Sequence, residues 1–155
     1  ALCLPEDTID QGDGKSRLCG AGVDYIYAKA SLDAVKRAKV NSAQWDALAL
    51  DHVVGVFLYA EGGEADDASY HARMFAPNAG ILEDPATGSA AAGFPAQIAR
   101  SKAIPDGVHR WIIEQGFEMA RPSRIIATVE AKGGAVQSVR IGGDAVFVQK
   151  GQIYV

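Results

Sequence analysis

The chain has 155 residues, 48% of them apolar and 22% charged, with a formal net charge of −4 at pH 7. That is enough apolar content for one core, and there is no basic stripe of the kind that neutralises nucleic-acid phosphates, so a single domain over residues 1–155 and no nucleic-acid partner are expected. No run of about eighteen apolar residues could span a bilayer as a helix, and the opening stretch, with Glu6, Asp7, Asp10 and Asp13, is unlike a secretory signal; no membrane partner and a cytoplasmic location follow as expectations.

Residues 1–22 are rich in Gly and Asp with weak periodicity and read as a crossover or loosely ordered segment. Asp24 to Ala30 alternates as a strand. Ser31 then caps a short basic helix through Lys39 with Leu32, Val35 and Ala38 on its apolar side, and Ser42 opens a second helix with Trp45, Leu48 and Ala49 on one stripe. Val53 to Tyr59 reads as a buried strand, and Glu61 to Asp67, with Gly62 and Gly63, as a solvated hairpin loop. Tyr70 to Phe75 is a strand whose alternation gives His71, Arg73 and Phe75 a common face. Pro77, Asn78, Gly80 and Pro85 predict irregular backbone up to Thr87, followed by a helix from Ser89 to Ile98. Pro95 falls in its third turn and is expected to kink it or end it early. Val108 to Glu114 reads as a strand. A meander follows, Ile125 to Ala131, Ala135 to Ile141, Ala145 to Gln149 and Ile153 to Val155, separated by Gly-containing turns.

The helix after Thr87 carries the chemistry. It is dominated by Ala and shows no charge before Arg100, so it reads as buried on most sides. The first N–H groups of a helix lack partners within it, and its N-terminus carries partial positive charge. Both features favour an anionic ligand, and Gly88 lets one approach the backbone. Asp84 lies near enough to act as a hydrogen-bond acceptor or, if protonated, a donor. The plainer alternative is that Thr87 or Ser89 merely caps the helix while Asp84 stabilises a turn. Ser89 is not a nucleophile-elbow serine, because Thr87 and Ala91 occupy the positions that need Gly. Cys3 and Cys19 are expected to be free thiols, and the scattered His52, His71 and His109 have no metal spacing, so no metal is predicted. His71 and Arg73 are possible site residues that point either at the ligand or away from it. Arg121 and Arg124 read as structural ion-pair partners.

Glu83-Asp84-Pro85-Ala86-Thr87-Gly88-Ser89-Ala90 resembles the signature of the PhzF-like proteins of phenazine biosynthesis. The likeness continues in His71-Ala72-Arg73-Met74-Phe75-Ala76-Pro77 and in Ile113 to Ile125. It implies an α+β, diaminopimelate epimerase-like lobe, with a curved, mostly antiparallel sheet wrapped around a central helix, and an active site in the cleft between two such lobes. The family's proposed catalytic glutamate, beside a Gly-Asn-Pro segment, lies in an N-terminal lobe, and no Gly-Asn-Pro occurs here. The chain therefore reads as the C-terminal lobe of an isomerase, incomplete and inactive alone.

By that resemblance Asp84 and Ser89 take catalytic roles, and Thr87, Gly88, Ser89 and Ala90 bind the carboxylate of a small metabolite, without cofactor. The related epimerases place a catalytic cysteine near the position of Pro85, so thiol-based racemase chemistry is not expected. The partner is the N-terminal lobe or a second copy of the chain, as a dimer. The alternative is a non-catalytic ligand-binding or scaffold half-domain that self-associates.

Overall fold

The computed structural model describes residues 1–50 and 52–154. In chain order they form strands β1 (Arg17–Gly20) and β2 (Asp24–Lys29), helices α1 (Leu32–Arg37) and α2 (Ser42–Asp46), and strands β3 (Gly55–Glu61), β4 (Tyr70–Ala76) and β5 (Ile81–Asp84). Helix α3 (Gly88–Ser101) and strands β6 (Gly107–Gln115), β7 (Ser123–Lys132) and β8 (Ala135–Gly143) follow. One sheet has the order β1-β2-β3-β4-β6-β7-β8, with β5 paired to β4. The β2–β3 and β4–β6 pairs are parallel and the others antiparallel, which makes the sheet mixed but mostly antiparallel.

Helix α3 packs against β1 and β2 at one end of this order and against β7 and β8 at the other. Only a sheet that curls around the helix brings both ends to it, so the fold is the α+β architecture of a curved sheet around a central helix. Strand alternation divides the side chains between two cores. The inner face sends Tyr27, Phe57, Tyr59, Tyr70, Met74, Ile113 and Val129 toward Ala90, Ala91, Phe94 and Ile98 of α3. The outer face sends Leu58 and Phe75 toward Val35 of α1 and Trp45 of α2. Both outer helices start where a side chain caps them: Ser31 Oγ accepts from Ala34 N at 3.2 Å, and Asn41 Oδ1 from Gln44 N at 3.1 Å.

Phe94 is the hub of the inner core, with its ring centroid 4.7 Å from Tyr59 and 4.8 Å from Tyr70, both edge-on. Burying such a ring stabilises the fold by about 2–3 kcal/mol, and the aromatic contacts add to that. This explains why Pro95 does not end the helix as expected. The missing N–H costs about 3 kcal/mol, but Phe94, Pro95, Gln97 and Ile98 are all buried and the helix continues to Ser101. Immediately before Phe94, Gly93 lies so close to the sheet that a Cβ there would meet the Tyr27 hydroxyl at 2.5 Å and Gly20 Cα at 3.2 Å.

Other expectations are modified. Residues 1–22 are tied down more firmly than their composition suggests: Asp10 N donates to Lys29 O at 2.9 Å, Arg17 Nη1 donates to Ser101 Oγ at 3.0 Å, and Arg17–Gly20 pairs with β2. Helix α2 stops at Asp46, Ala49 takes a left-handed backbone (φ 47°), and Leu48 is exposed. Residues 81–84, expected to be irregular, form β5. Residues 145–154, expected to supply two more strands, pair with no strand among the described residues; Phe147 is 84% exposed and Tyr154 89%. Val155 lies outside the described residues.

Candidate active site

Sheet alternation sorts the polar residues of the β4–β5–β6 region into two sets. Met74 pairs with Asp84 and Ala72 with Gln115, so Asp84 and Gln115 share the α3 face of the sheet. His71 pairs with Glu114, and both lie on the outer face with Arg73 and Glu83.

On the α3 face, Thr87 Oγ1 donates to Asp84 Oδ2 at 2.5 Å. The fully buried Gln115 holds this pair, with Nε2 donating to Asp84 O at 2.6 Å and to Thr87 Oγ1 at 2.9 Å, while Oε1 accepts from Thr87 N at 3.2 Å. The loop can lie this close because Gly116, with φ 80°, has no side chain: a Cβ there would meet Pro85 O at 2.8 Å.

Neither hydroxyl caps α3. That of Thr87 is committed to Asp84, and Ser89 Oγ shares a hydrogen bond of 2.8 Å with the hydroxyl of buried Tyr25. Among the described residues, the N–H groups of Gly88, Ser89 and Ala90 have no hydrogen-bond partner. Gly88 and Ser89 are exposed, so their N–H groups can meet a ligand from solvent. A Cβ on Gly88 would touch only Ile141 Cγ2, at 3.8 Å, leaving the approach to the helix end open. Beside it a cavity of about 510 Å³ is lined by Ala86, Gly88, Ser123, Arg124, Ile141 and Asp144. Free donors at a helix N-terminus next to a carboxylate form an arrangement that binds an anion and offers a proton acceptor beside it. No group of three or more His, Cys, Asp or Glu arranged for a metal occurs among the described residues.

His71 and Arg73 do share a face, as alternation predicts, but it is the face away from this site. His71 is fully buried, with Nδ1 3.0 Å from Glu114 Oε2 and Nε2 2.9 Å from Glu118 Oε1. Burial pushes the imidazole pKa down, but hydrogen bonds and Coulomb attraction from Glu118 and Glu114 push it up further, so it lies above the ordinary value. Burial likewise raises the pKa of both glutamates, but hydrogen bonds from His71 and from backbone N–H groups, with the nearby positive charge, outweigh it, so each lies below the ordinary value. Arg73 bonds the Glu83 carboxylate with Nε and Nη2, at 2.8 and 2.7 Å, and donates to Ala38 O at the end of α1. Glu114 also accepts from Glu64 N and Ala65 N at 2.7 and 2.9 Å, which ties the acidic hairpin to β6. Arg124 pairs with Asp67 at 2.6 Å on the surface.

Gln115 and Tyr25 were not among the residues singled out from the sequence. Gln115 gives one local signal, a polar residue closing an apolar strand immediately before a Gly; Tyr25 gives none, because a strand Tyr beside a core is ordinary packing.

The curled sheet around a central helix is a fold this chain shares with a phenazine biosynthesis protein and a predicted epimerase. A Bacillus anthracis phenazine biosynthesis protein of the PhzF family has this fold, with a TM-score of 0.76 at 21% identity over 90% of this chain and 48% of that one. A predicted epimerase from Pseudomonas aeruginosa superposes with a TM-score of 0.60 at 26% identity, over 97% of this chain and 50% of that one. Residues 20–151 match the model of the PhzC-PhzF family, the phenazine biosynthesis-like proteins, and the chain belongs to that family. It is 39% identical to an uncharacterized isomerase of Mesorhizobium japonicum over 100% of this chain and 53% of the relative. It is 40% identical to the trans-2,3-dihydro-3-hydroxyanthranilate isomerase of Pseudomonas aeruginosa over 55% of this chain and 30% of the relative. The chain spans about half the length of the first of these relatives.

Proposed function

We propose that this chain forms one wall of the active site of an isomerase that moves a proton between two carbons of a small carboxylate-bearing metabolite, with no metal or organic cofactor. The observation that carries this reading is the set of partnerless N–H groups at Gly88, Ser89 and Ala90 beside Asp84. These groups and the Ser89 hydroxyl hold the substrate carboxylate, Thr87 orients Asp84, and Asp84 takes a hydrogen bond from a polar substituent and helps manage the proton. The base that abstracts the proton comes from a second lobe across the cleft, consistent with the chain's spanning about half of its relatives. The enzyme works in the cytoplasm, a reading supported by its two unpaired cysteines.

Titrating the isotopically labelled chain with trans-2,3-dihydro-3-hydroxyanthranilate tests this. Amide resonances of Gly88, Ser89 and Ala90 should shift together and saturably, whereas shifts absent there or scattered over the surface would sink the reading.

A second reading has its own observation. Val146, Phe147, Val148, Ile153 and Tyr154 are each more than four-fifths exposed, from 84% to 90%, an apolar segment of the kind that another polypeptide covers. The partner is the second lobe or another copy of this chain, which as a pair would act as a binding or scaffold unit without catalysis.

A further inference from the structure

We infer that Gln115 is a positioning residue: acting through the Thr87 hydroxyl, it holds Asp84 with Oδ2 occupied and Oδ1 left for the ligand. This rests on the role given to Asp84 above. A carboxamide has one accepting and one donating end, and here only one orientation satisfies both. Nε2 faces two oxygens, Asp84 O at 2.6 Å and Thr87 Oγ1 at 2.9 Å, while Oε1 faces the Thr87 N–H at 3.2 Å. Turning the amide over would set a carbonyl against a carbonyl and an N–H against an N–H on a fully buried side chain.

With the amide fixed, the hydroxyl is fixed as well. Thr87 Oγ1 accepts from Gln115, so its single proton has one acceptor in reach, Asp84 Oδ2 at 2.5 Å. Asp84 Oδ1 has no partner among the described residues, yet it is not among the buried unpaired polar atoms, so it remains accessible. Gln115 cannot withdraw from this arrangement, because Gly116 packs its backbone against Pro85 with no room for a Cβ. Loop 85–87 and the end of β6 thus form one unit, whose output is a single orientation of the Asp84 carboxylate beside the start of α3.

The test uses this chain and two readouts. The first is exchange of the Thr87 hydroxyl proton, followed by NMR and assigned by its loss in Thr87→Val. A protected proton is expected in the unmodified chain, with exchange at least tenfold faster in Gln115→Leu. If the Leu variant does not fold, Gln115→Met gives the same reading, since it keeps the length of the side chain and carries no hydrogen-bond donor. The second is affinity for trans-2,3-dihydro-3-hydroxyanthranilate. Gln115→Leu and Thr87→Val should each weaken binding about tenfold, as for loss of one hydrogen bond to a charged group. The double variant should be no weaker than either single one, and Thr87→Ser should stay within about twofold of the parent.

Losses that multiply in the double variant mean the two residues act separately, and a freely exchanging hydroxyl in the unmodified chain means the relay is absent; either overturns the inference. If the compound does not bind the unmodified chain, it is the functional reading that fails, and hydroxyl protection alone decides the inference.

Discussion

Glu83 and Asp84 are consecutive in β5 and lie on opposite faces of the sheet: Glu83 is ion-paired with Arg73 at 2.7 Å on the outer face, and Asp84 accepts from Thr87 at 2.5 Å on the inner one. A strand side-chain period of two makes this separation unavoidable. Two adjacent carboxylates therefore have unrelated consequences. Glu83→Gln takes the bidentate carboxylate from the Arg73 side chain, only 8% exposed, and leaves Glu118 at 3.8 Å as the nearest carboxylate; it should cost about 2 kcal/mol. Chemical denaturation should show that loss, while affinity for a carboxylate ligand stays within about twofold. Asp84→Asn should do the reverse, keeping stability within about 1 kcal/mol and weakening ligand binding about tenfold. Matching effects of the two substitutions would contradict the separation.

His71 makes stability depend on pH in a defined direction. Its pKa in the folded protein lies above the ordinary value of 6.5, because the Glu118 and Glu114 carboxylates on either side outweigh burial, with Arg73 the neighbouring cation, 3.8 Å from Glu118. A raised folded-state pKa means that the stabilisation is fully present below pH 6.5 and is lost as pH rises through the folded value. Urea unfolding free energies measured across the neutral and alkaline range should fall accordingly. In His71→Gln that fall should disappear, because no titrating group remains between the two glutamates. A parallel pH profile in the variant would contradict this.

Two glycines of α3 separate packing from ligand access. Gly93→Ala places a methyl 2.5 Å from the Tyr27 hydroxyl and should lower stability by about 2 kcal/mol, even though Ala is the better helix former. Gly88→Ala meets only Ile141 at 3.8 Å and should leave stability unchanged or raise it by up to about 1 kcal/mol. Its methyl would stand where a carboxylate approaches the backbone, so ligand affinity should drop about tenfold. Thermal melts paired with ligand titration distinguish the two sites.

The exposed apolar segment at 145–154 predicts association. Light scattering on the chain should show a concentration-dependent rise in mass. Deleting residues 145–154 should abolish that rise and shift the melting midpoint by no more than about 2 °C, since the segment adds no strand to the sheet. An unchanged mass in the deletion variant would place the association surface elsewhere.

The strands β2, β3, β4, β6, β7 and β8, the cap at Ser31 and the placement of Asp84 before a buried helix all follow from local pattern, because alternation, capping and turn chemistry act within a few residues. Free N–H groups at the start of a buried helix, with Asp84 shortly before them, were legible in the sequence for the same reason, and the anion site proposed there rests on them. Tertiary structure decided what depended on distant partners. β5 became a strand because β4 offered it an edge, and residues 145–149 did not because nothing did. Pro95 stayed in the helix because five aromatic rings surround Phe94. Alternation placed His71 and Arg73 together, but only the packing of α1 and α3 on opposite faces showed which side faces the site. Whether Thr87 caps its helix depended on Gln115, 28 residues away, and Asp84, three residues before it. A hydroxyl has one proton, and the group that receives it is set by what the fold brings within hydrogen-bond reach.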